Sequence, residues 1–299
     1  MKCFYHNDLD GKCAASCIRL STENSSEDDY VALDYGTPFP FDSITDSEQV
    51  WIVDYSLEPS DMDDLLEITD DVIWIDHHKT AIEKYKGYEK EIKGIRWAKY
   101  AGCVLTYAYI HLLKNGQKEL DDEIIRSKVP YYIRLVGDRD TWRWEHRFDS
   151  AHFYFGASSF DAGPTSDLWD KLDDEEFLKS VMKDGELVCR YRNQNFLELR
   201  EVLAFETEFE GYKAMAMNVA KTGSEAFGGP GSDAGGLRPG YDLLIPFYFD
   251  GEQFTVSLYS KSIDTSVLSE KHGGGGHPGA SGFQCDKLPF EKTGDFSEE

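Results

Sequence analysis

Histidine and aspartate residues follow three short apolar runs in the first quarter of the chain. The runs and their polar neighbours are Lys2–His6 with Asp8 and Asp10, Val50–Val53 with Asp54, and Val72–Ile75 with Asp76, His77 and His78. Imidazole and carboxylate together suit Mn²⁺ or Mg²⁺ at an oxygen-rich site better than a cysteine-based structural zinc site. This residue set therefore indicates a divalent-metal site.

The elements that must position these residues are predicted to be strands of a parallel sheet. Short apolar runs of this kind are typical of buried parallel strands, although periodicity alone does not exclude a buried helix. Helical patterns at residues 12–20, and from Ser60 onward, complete β-α-β units. We therefore expect an α/β fold with a Rossmann-like parallel sheet, whose carboxyl edge carries the ligands.

A fourth acid follows a helical pattern over residues 121–137 that is interrupted near Pro130. Asp138 comes directly after its apolar end, and we prefer it to Asp140 as a further ligand for that reason. Four elements that each end in a candidate ligand predict a shared two-metal centre.

The second half of the chain has a different pattern. Residues 142–172 give no clear assignment, and residues 173–203 form a long, charged helical pattern. Two hairpins are predicted around Glu210-Gly211 and Asp250-Gly251, and residues 223–240 are predicted to form a glycine-rich loop. We expect a metal-binding domain at 1–172, a connecting helix at 173–203 and a smaller α/β substrate-binding domain at 204–299.

A glycine run, residues 273–276, lies between His272 and His277. A flexible linker is one interpretation of such a run. A backbone nest of amides that binds phosphate, with His277 beside it, fits better because histidines flank the run and a helical pattern precedes it.

Composition limits the classes of partner. A net charge of −25 disfavours long DNA or RNA but permits a small anionic substrate if metal ions reverse the charge locally. No apolar run approaches the ~20 residues of a membrane span. The six cysteines form no C-x-x-C pair, which favours reduced thiols and a cytoplasmic location.

These motifs, in this order, resemble the DHH phosphoesterase superfamily, which takes its name from the Asp-His-His found here at residues 76–78. The similarity covers most of the chain. Its matching motifs are His6-Asn7-Asp8-Leu9-Asp10-Gly11, Asp54, Asp76-His77-His78, Asp138 and Gly274-Gly275-Gly276-His277. The resemblance implies a DHH domain followed by a C-terminal domain of the DHHA1 type.

The resemblance also implies roles for individual residues. Two Mn²⁺ ions, with Mg²⁺ or Co²⁺ as alternatives, would share Asp54. One ion would be held by His6, Asp8 and Asp54, and the other by Asp10, Asp54, His77 and Asp138. Asp76, His77 and His78 would form the catalytic group, with His78 near the substrate phosphate. The substrate would also contact Gly274, Gly275, Gly276, His277 and Lys261.

The implied activity is hydrolysis of phosphoester bonds in short oligonucleotides or small nucleotides, by a water molecule that the two metal ions activate. A pyrophosphatase or polyphosphatase of the same superfamily and a catalytically inactive nucleotide-binding module are the alternatives. One departure weakens the substrate assignment: Tyr259 stands where the superfamily commonly has arginine, and Lys261 is the nearby cation. A homodimer is also expected to be possible.

Overall fold

The computed structural model describes residues 1–22, 26–112, 116, 120–228 and 240–296, without the side chain of His277. The chain divides into two compact units, Met1–Glu186 and Leu187–Glu299. The strands of the first unit are β1 (Lys2–His6), β2 (Tyr30–Leu33), β3 (Val50–Val53) and β4 (Val72–Ile75). Its helices are α1 (Leu9–Thr22), α2 (Pro59–Ile68), α3 (Lys79–Lys84), α4 (Gly102–His111), α5 (Asp122–Lys128), α6 (Tyr131–Asp140), α7 (Phe148–Ala157) and α8 (Asp167–Lys171).

The four strands described in this unit form a parallel sheet in the order β2-β1-β3-β4. Alternate side chains point to opposite faces of a strand, and here both faces are covered. Trp51 and Val53 pack into a core with α1, α4 and α6, while Ile52 packs with Met62 and Leu65 of α2 on the other face. Burial on both faces explains the uninterrupted apolar runs and confirms the predicted parallel α/β sheet.

Two helices begin earlier than the sequence indicated. Helix α1 starts at Leu9, so Asp10 lies in its first turn rather than in a loop, and the Asp8 carboxylate accepts a hydrogen bond from the Gly11 amide at 2.9 Å. Asp8 therefore acts as the helix N-cap. Helix α2 starts at Pro59 after Glu58, and Ser60 does not cap it. Proline suits the first helical turn because its missing N–H is not needed there.

The second unit is built on a mixed sheet. Its described strands are β5 (Ala204–Phe209), β6 (Tyr212–Asn218), β7 (Leu243–Phe249), β8 (Phe254–Tyr259), β9 (Gly275–His277), β10 (Ala280–Cys285) and β11 (Lys292–Asp295), in the order β11-β5-β6-β7-β8-β10-β9. Both predicted hairpins, β5–β6 and β7–β8, are present as antiparallel pairs. Helix α10 (Thr265–Glu270) packs Leu268 into the core on one face of this sheet.

The long helical pattern forms α9 (Glu175–Leu203), and the division between the two units falls inside it. Phe196 of α9 is buried in the second unit with Met215 and Met217. The predicted domain limits at 172 and 204 stay a prediction. The predicted loop at 223–240 lies largely outside the described residues, which include only a short 3-10 helix at Ser224–Phe227.

No helix in the described part of the chain is long and apolar enough to cross a lipid bilayer. All six cysteines carry free thiols, and five of them are buried.

Candidate metal centre

Three strands of the parallel sheet deliver polar side chains to its carboxyl edge. His6 is the last residue of β1, Asp54 follows β3, and Asp76-His77-His78 follow β4. Parallel strands end at the same edge of a sheet, which is where α/β folds bind their ligands. The structure brings these residues together as the sequence pattern predicted.

The first group of ligand atoms comes from His6, Asp8 and Asp54, which lie close enough to share one metal ion. The His6 Nδ1 atom lies 2.9 Å from Asp8 Oδ2 and 3.8 Å from Asp54 Oδ2. This set equals the first of the two predicted ligand sets.

The second group surrounds His77. Its Nε2 atom lies 3.0 Å from Asp54 Oδ1, 3.3 Å from Asp140 Oδ2 and 3.6 Å from Asp10 Oδ2. Asp10, His77 and Asp140 form one possible ligand set, and Asp54, His77 and His78 form another. Asp54 therefore touches both halves of the cluster, as expected of a residue shared by two ions.

Whether these residues fit metal ions can be judged from their hydrogen bonding. His6 Nδ1, both carboxylate oxygens of Asp54 and His77 Nε2 are buried, and within the described residues none makes a hydrogen bond of good geometry, although His6 lies close to Asp8 and His77 close to Asp54. Buried polar atoms without partners are costly, and each needs an explanation. These atoms are all electron-pair donors and they converge on one place, so divalent cations fit the site.

The amino end of α4 positions Asp10. The Asp10 carboxylate accepts hydrogen bonds from the Gly102 amide at 2.7 Å and the Cys103 amide at 2.9 Å. These two amides at the start of the helix therefore fix the position of the Asp10 carboxylate. A Cβ atom on Gly102 would lie only 2.6 Å from the Cβ of Asp54, so a glycine is required at this close approach.

Asp76 orients the two histidines and lies outside the two ligand groups described above. Its Oδ1 atom accepts hydrogen bonds from the His77 amide at 2.7 Å and from His78 Nδ1 at 2.7 Å, and its Oδ2 atom accepts one from Ser56. Its side chain is fully buried. Carboxylates of this kind fix the tautomer and the ring orientation of neighbouring histidines.

The pKa values of the cluster reflect burial and repulsion between its carboxylates. Burial, reinforced by the neighbouring charges of Asp10 and Asp8, raises the pKa of both Asp54 and Asp140 well above its ordinary value. Burial lowers the pKa of His77, so its imidazole is favoured in the neutral, metal-binding form. Without cations the site therefore holds more negative charge than it can stabilise.

Asp140, and not Asp138, is the carboxylate of α6 that reaches this cluster. Asp138 is buried elsewhere, where it accepts hydrogen bonds from the Glu145 amide at 2.7 Å, the His146 amide at 3.1 Å and the Ser150 hydroxyl at 2.5 Å. The preference for Asp138 is corrected because the rotation of helix α6 about its axis turns Asp138 away from the cluster and Asp140 toward it. Residues two apart on a helix point about 200° away from each other, so only one of them can face the metal centre.

The glycine motif differs from the predicted loop nest. Gly275–His277 form strand β9 at one edge of the second sheet, paired with β10. A Cβ atom on Gly274 would lie 2.1 Å from the Gly282 carbonyl oxygen, so close packing of the backbone requires glycine there. Lys261 is exposed after β8, and the side chain of His277 lies outside the described residues. Substrate binding by Gly274, Gly275, Gly276, His277 and Lys261 stays a prediction.

Several residues that shape the centre were not identified from the sequence. The amides of Gly102 and Cys103 lie more than 90 positions from Asp10 along the chain, so no local pattern connects them. Ser56 is two residues after Asp54, and a polar residue so close to a strand end was a usable signal.

No family model matches the sequence. An uncharacterised protein, R106, of Acanthamoeba polyphaga mimivirus is 24% identical over 83% of this chain, and oligoribonuclease NrnB of Bacillus subtilis (strain 168) is 22% identical over 96% of it. The chain spans 57% of the first relative's length and 73% of the second's. The solved structure of PggH, a pGpG-specific phosphodiesterase from Vibrio cholerae, matches with a TM-score of 0.53 at 15% identity, over 96% of this chain and 94% of PggH.

At these identities the structural likeness concerns the fold, and the fold agrees with the motifs. A parallel sheet with His6, Asp54 and Asp76-His77-His78 at its carboxyl edge is the arrangement that the sequence pattern predicted. The resemblance to the DHH phosphoesterase superfamily is thereby confirmed at the level of the fold, which this chain shares with the solved structure of PggH.

Proposed function

We propose that this protein is a metal-dependent phosphoesterase that hydrolyses phosphoester bonds in short oligonucleotides or small nucleotides. The names of two similar proteins, an oligoribonuclease and a pGpG-specific phosphodiesterase, support this substrate class. The observation that carries the proposal is the pair of ligand groups that meet at Asp54 and His77.

Each of two ions would have its own set of ligands. His6, Asp8 and Asp54 would hold one ion, while Asp10, His77 and Asp140 would hold the other, with Asp54 between them. Mn²⁺ is the preferred ion because mixed imidazole and carboxylate sites suit it, and Mg²⁺ or Co²⁺ are alternatives. When bound, a pair of divalent cations neutralises charge on the phosphoryl group and lowers the pKa of a water molecule.

His78 has the properties of a phosphate-binding residue. Burial alone would lower the pKa of His78, but its hydrogen bond to Asp76 and the nearby carboxylates raise it overall. A higher pKa favours the imidazolium form, in which both ring nitrogens carry hydrogen atoms. Because Nδ1 donates to Asp76, the Nε2–H group is the one left to donate to a phosphate oxygen. Asp76 is accordingly a positioning residue for His78.

The charge of the protein supports a short substrate. A net charge of −25 repels long polyanions, whose binding depends on many lysine and arginine contacts. A short nucleotide needs a positive field only at the metal centre. A cytoplasmic location and a homodimer stay predictions from the sequence.

The test is a substrate panel with the purified chain, first treated with a chelator and then supplied with Mn²⁺, Mg²⁺ or Co²⁺. The panel contains di- to pentanucleotides, a nucleoside 3′,5′-bisphosphate, cyclic dinucleotides, pyrophosphate and polyphosphate. We expect Mn²⁺-dependent hydrolysis of a nucleotide by the wild type and by the surface control Asp167→Asn, and its loss in Asp54→Asn.

Each other outcome contradicts the proposal in its own way. Phosphate release from pyrophosphate or polyphosphate alone would establish the pyrophosphatase alternative. Nucleotide binding without hydrolysis, with any of the three metals, would establish an inactive binding module. Activity that survives in Asp54→Asn would place the active site elsewhere.

A further inference from the structure

A cavity of about 660 Å³ in the first unit borders the metal centre. Four carboxyl side chains line it: Asp8, Asp10 and Asp140, which the proposed metal ions would neutralise, and Asp161, which belongs to neither ligand group. The remainder of its lining contains cations and aromatic rings: Lys12, Arg139, Trp142, Tyr154 and Phe160. Its volume lies within the range of small-molecule binding sites.

Arg139 lies against four aromatic rings, of which Tyr154 and Trp142 line the cavity. Its guanidinium carbon lies 4.2 Å from the ring centre of Tyr154, 5.3 Å from Phe155, 5.5 Å from Trp144 and 5.7 Å from Trp142. Cation–π contacts at these distances are attractive. Arg139 also directly precedes the proposed metal ligand Asp140, so its position is tied to the metal centre.

Two of the rings are exposed in a way that apolar packing does not explain. Trp142 is 46% exposed and Phe160 is 39% exposed, although both line the cavity. Trp142 also adopts a left-handed backbone conformation, with φ of 56°, which is unfavourable for a bulky residue. Strained backbone that is held in place is characteristic of binding sites.

Asp138 supplies the restraint on this turn. Its carboxylate accepts hydrogen bonds from the amides of Glu145 and His146, a few residues after Trp142, and from the Ser150 hydroxyl of the following helix. The backbone that follows Trp142 is thus fixed by hydrogen bonds to a buried carboxyl group. The Trp142 ring itself lies against Arg139 and Trp144.

We propose that this cavity binds the base of a nucleotide whose phosphate lies at the metal centre. Aromatic rings stack on nucleobases of every type, and a planar guanidinium stacks on them as well. Pyrophosphate has no group that could use these rings. The proposal rests on the proposed function and narrows its substrate class to compounds with a base directly next to the reacting phosphate.

The test compares equilibrium binding of AMP and ribose 5-phosphate, at one Mn²⁺ concentration, by isothermal titration calorimetry. The proteins are the wild type, Trp142→Ala, Trp142→Phe and Phe160→Ala. Stacking on one base corresponds to about a 5- to 150-fold gain in affinity, so the wild type should prefer AMP to that degree. Trp142→Ala should lose most of this preference, Trp142→Phe should keep most of it, and Phe160→Ala should lose part of it.

Ribose 5-phosphate serves as the internal control, since its affinity should be equal in all four proteins. An AMP preference that survives in both alanine variants would overturn the proposal. So would an equal loss of both ligands in Phe160→Ala, because that residue lies outside the strained turn. Calorimetry measures binding, and the substrate panel measures hydrolysis, so the two tests can fail separately. Base-dependent binding without hydrolysis in the panel would refute the proposed function alone. Hydrolysis in the panel without base-dependent binding would refute this inference alone.

Discussion

Asp138 and Asp140 lie two residues apart on α6, and replacing each of them by asparagine distinguishes a structural acid from a metal ligand. Both substitutions replace a carboxyl group by an amide of nearly the same shape. Asp138 is 6% exposed and accepts three hydrogen bonds, whereas the Asp140 side chain is 25% exposed and lies 3.3 Å from His77 Nε2. We expect opposite effects on the stability of the metal-free protein.

We expect Asp138→Asn to lower the stability of the protein because Asp138 accepts three hydrogen bonds. Asparagine has one acceptor oxygen, so at least one buried donor among the Glu145 amide, the His146 amide and the Ser150 hydroxyl loses its partner. An unsatisfied buried donor costs about 1–3 kcal/mol. For a unit of this size that corresponds to a fall in Tm of about 2–12 °C.

We expect Asp140→Asn to raise the stability of the metal-free protein because it relieves repulsion between carboxylates. The ligand oxygens of Asp10 and Asp140 lie within 4.8 Å of each other. Two full charges at that distance repel by about 3 kcal/mol at an effective dielectric constant of about 20, and the raised pKa of Asp140 reduces this figure. We therefore expect Asp140→Asn to raise the Tm by a few degrees in the presence of EDTA.

Added Mn²⁺ should reverse the order of the Tm values of the two variants. Mutation of a residue that only supports a metal ligand typically lowers metal affinity about 10- to 100-fold. Loss of a carboxylate that binds the metal directly should lower the affinity at least as much. A 100-fold loss removes about 2.7 kcal/mol of metal-induced stabilisation, or about 5–10 °C. Asp138→Asn should keep the full increase in Tm on addition of Mn²⁺, while Asp140→Asn should lose most of it.

The assay is thermal unfolding of the three proteins with EDTA and with increasing Mn²⁺, together with calorimetric titration of Mn²⁺. If Asp138→Asn abolished the metal-induced increase in Tm and Asp140→Asn retained it, Asp138 would be the ligand and our reasoning from the structure would be wrong.

Four further substitutions test the same site and the glycine motif. Burial and neighbouring carboxylates raise the pKa of Asp54, so ionisation of this group destabilises the metal-free protein as the pH rises above about 4. In EDTA, the Tm of Asp54→Asn should therefore increase relative to that of the wild type as the pH rises. A Tm difference that does not change with pH would contradict this. Gly102→Ala places a Cβ atom 2.6 Å from that of Asp54, so calorimetry should show Mn²⁺ affinity reduced about 10-fold or more, and unchanged affinity would refute the contact. Gly274→Ala should lower stability by about 1–3 kcal/mol because its Cβ meets the Gly282 carbonyl, whereas Gly275→Ala enters open space and should change stability by less than about 0.5 kcal/mol; equal chemical-denaturation midpoints would rule out this difference.

The parallel sheet and its ligands at His6, Asp54 and His77 were predictable from the sequence. Each of these residues follows an apolar run, and burial on both faces of the sheet makes such runs recognisable. Because parallel strands end at one edge, the order of residues along the chain also predicted that they meet. Direction and burial are local properties of a strand, so the local pattern was sufficient.

The choice between Asp138 and Asp140 was not predictable in this way. Both follow the apolar residues of α6, and the side chain that faces the metal centre depends on how the helix is rotated about its axis. That rotation is set by packing against α4 and α7, where the Glu145 and His146 amides and the Ser150 hydroxyl hold Asp138.

The sequence by itself determined which residue types could bind metal ions and which strands would carry them, because strand burial and direction depend on neighbouring residues. Only the tertiary structure decided that the amides at the start of α4 hold Asp10, that Asp140 completes the cluster, and that Arg139 gathers four aromatic rings beside it. These features depend on contacts between segments far apart in the chain or on the rotation of a helix, and such contacts are fixed by the packing of the whole unit.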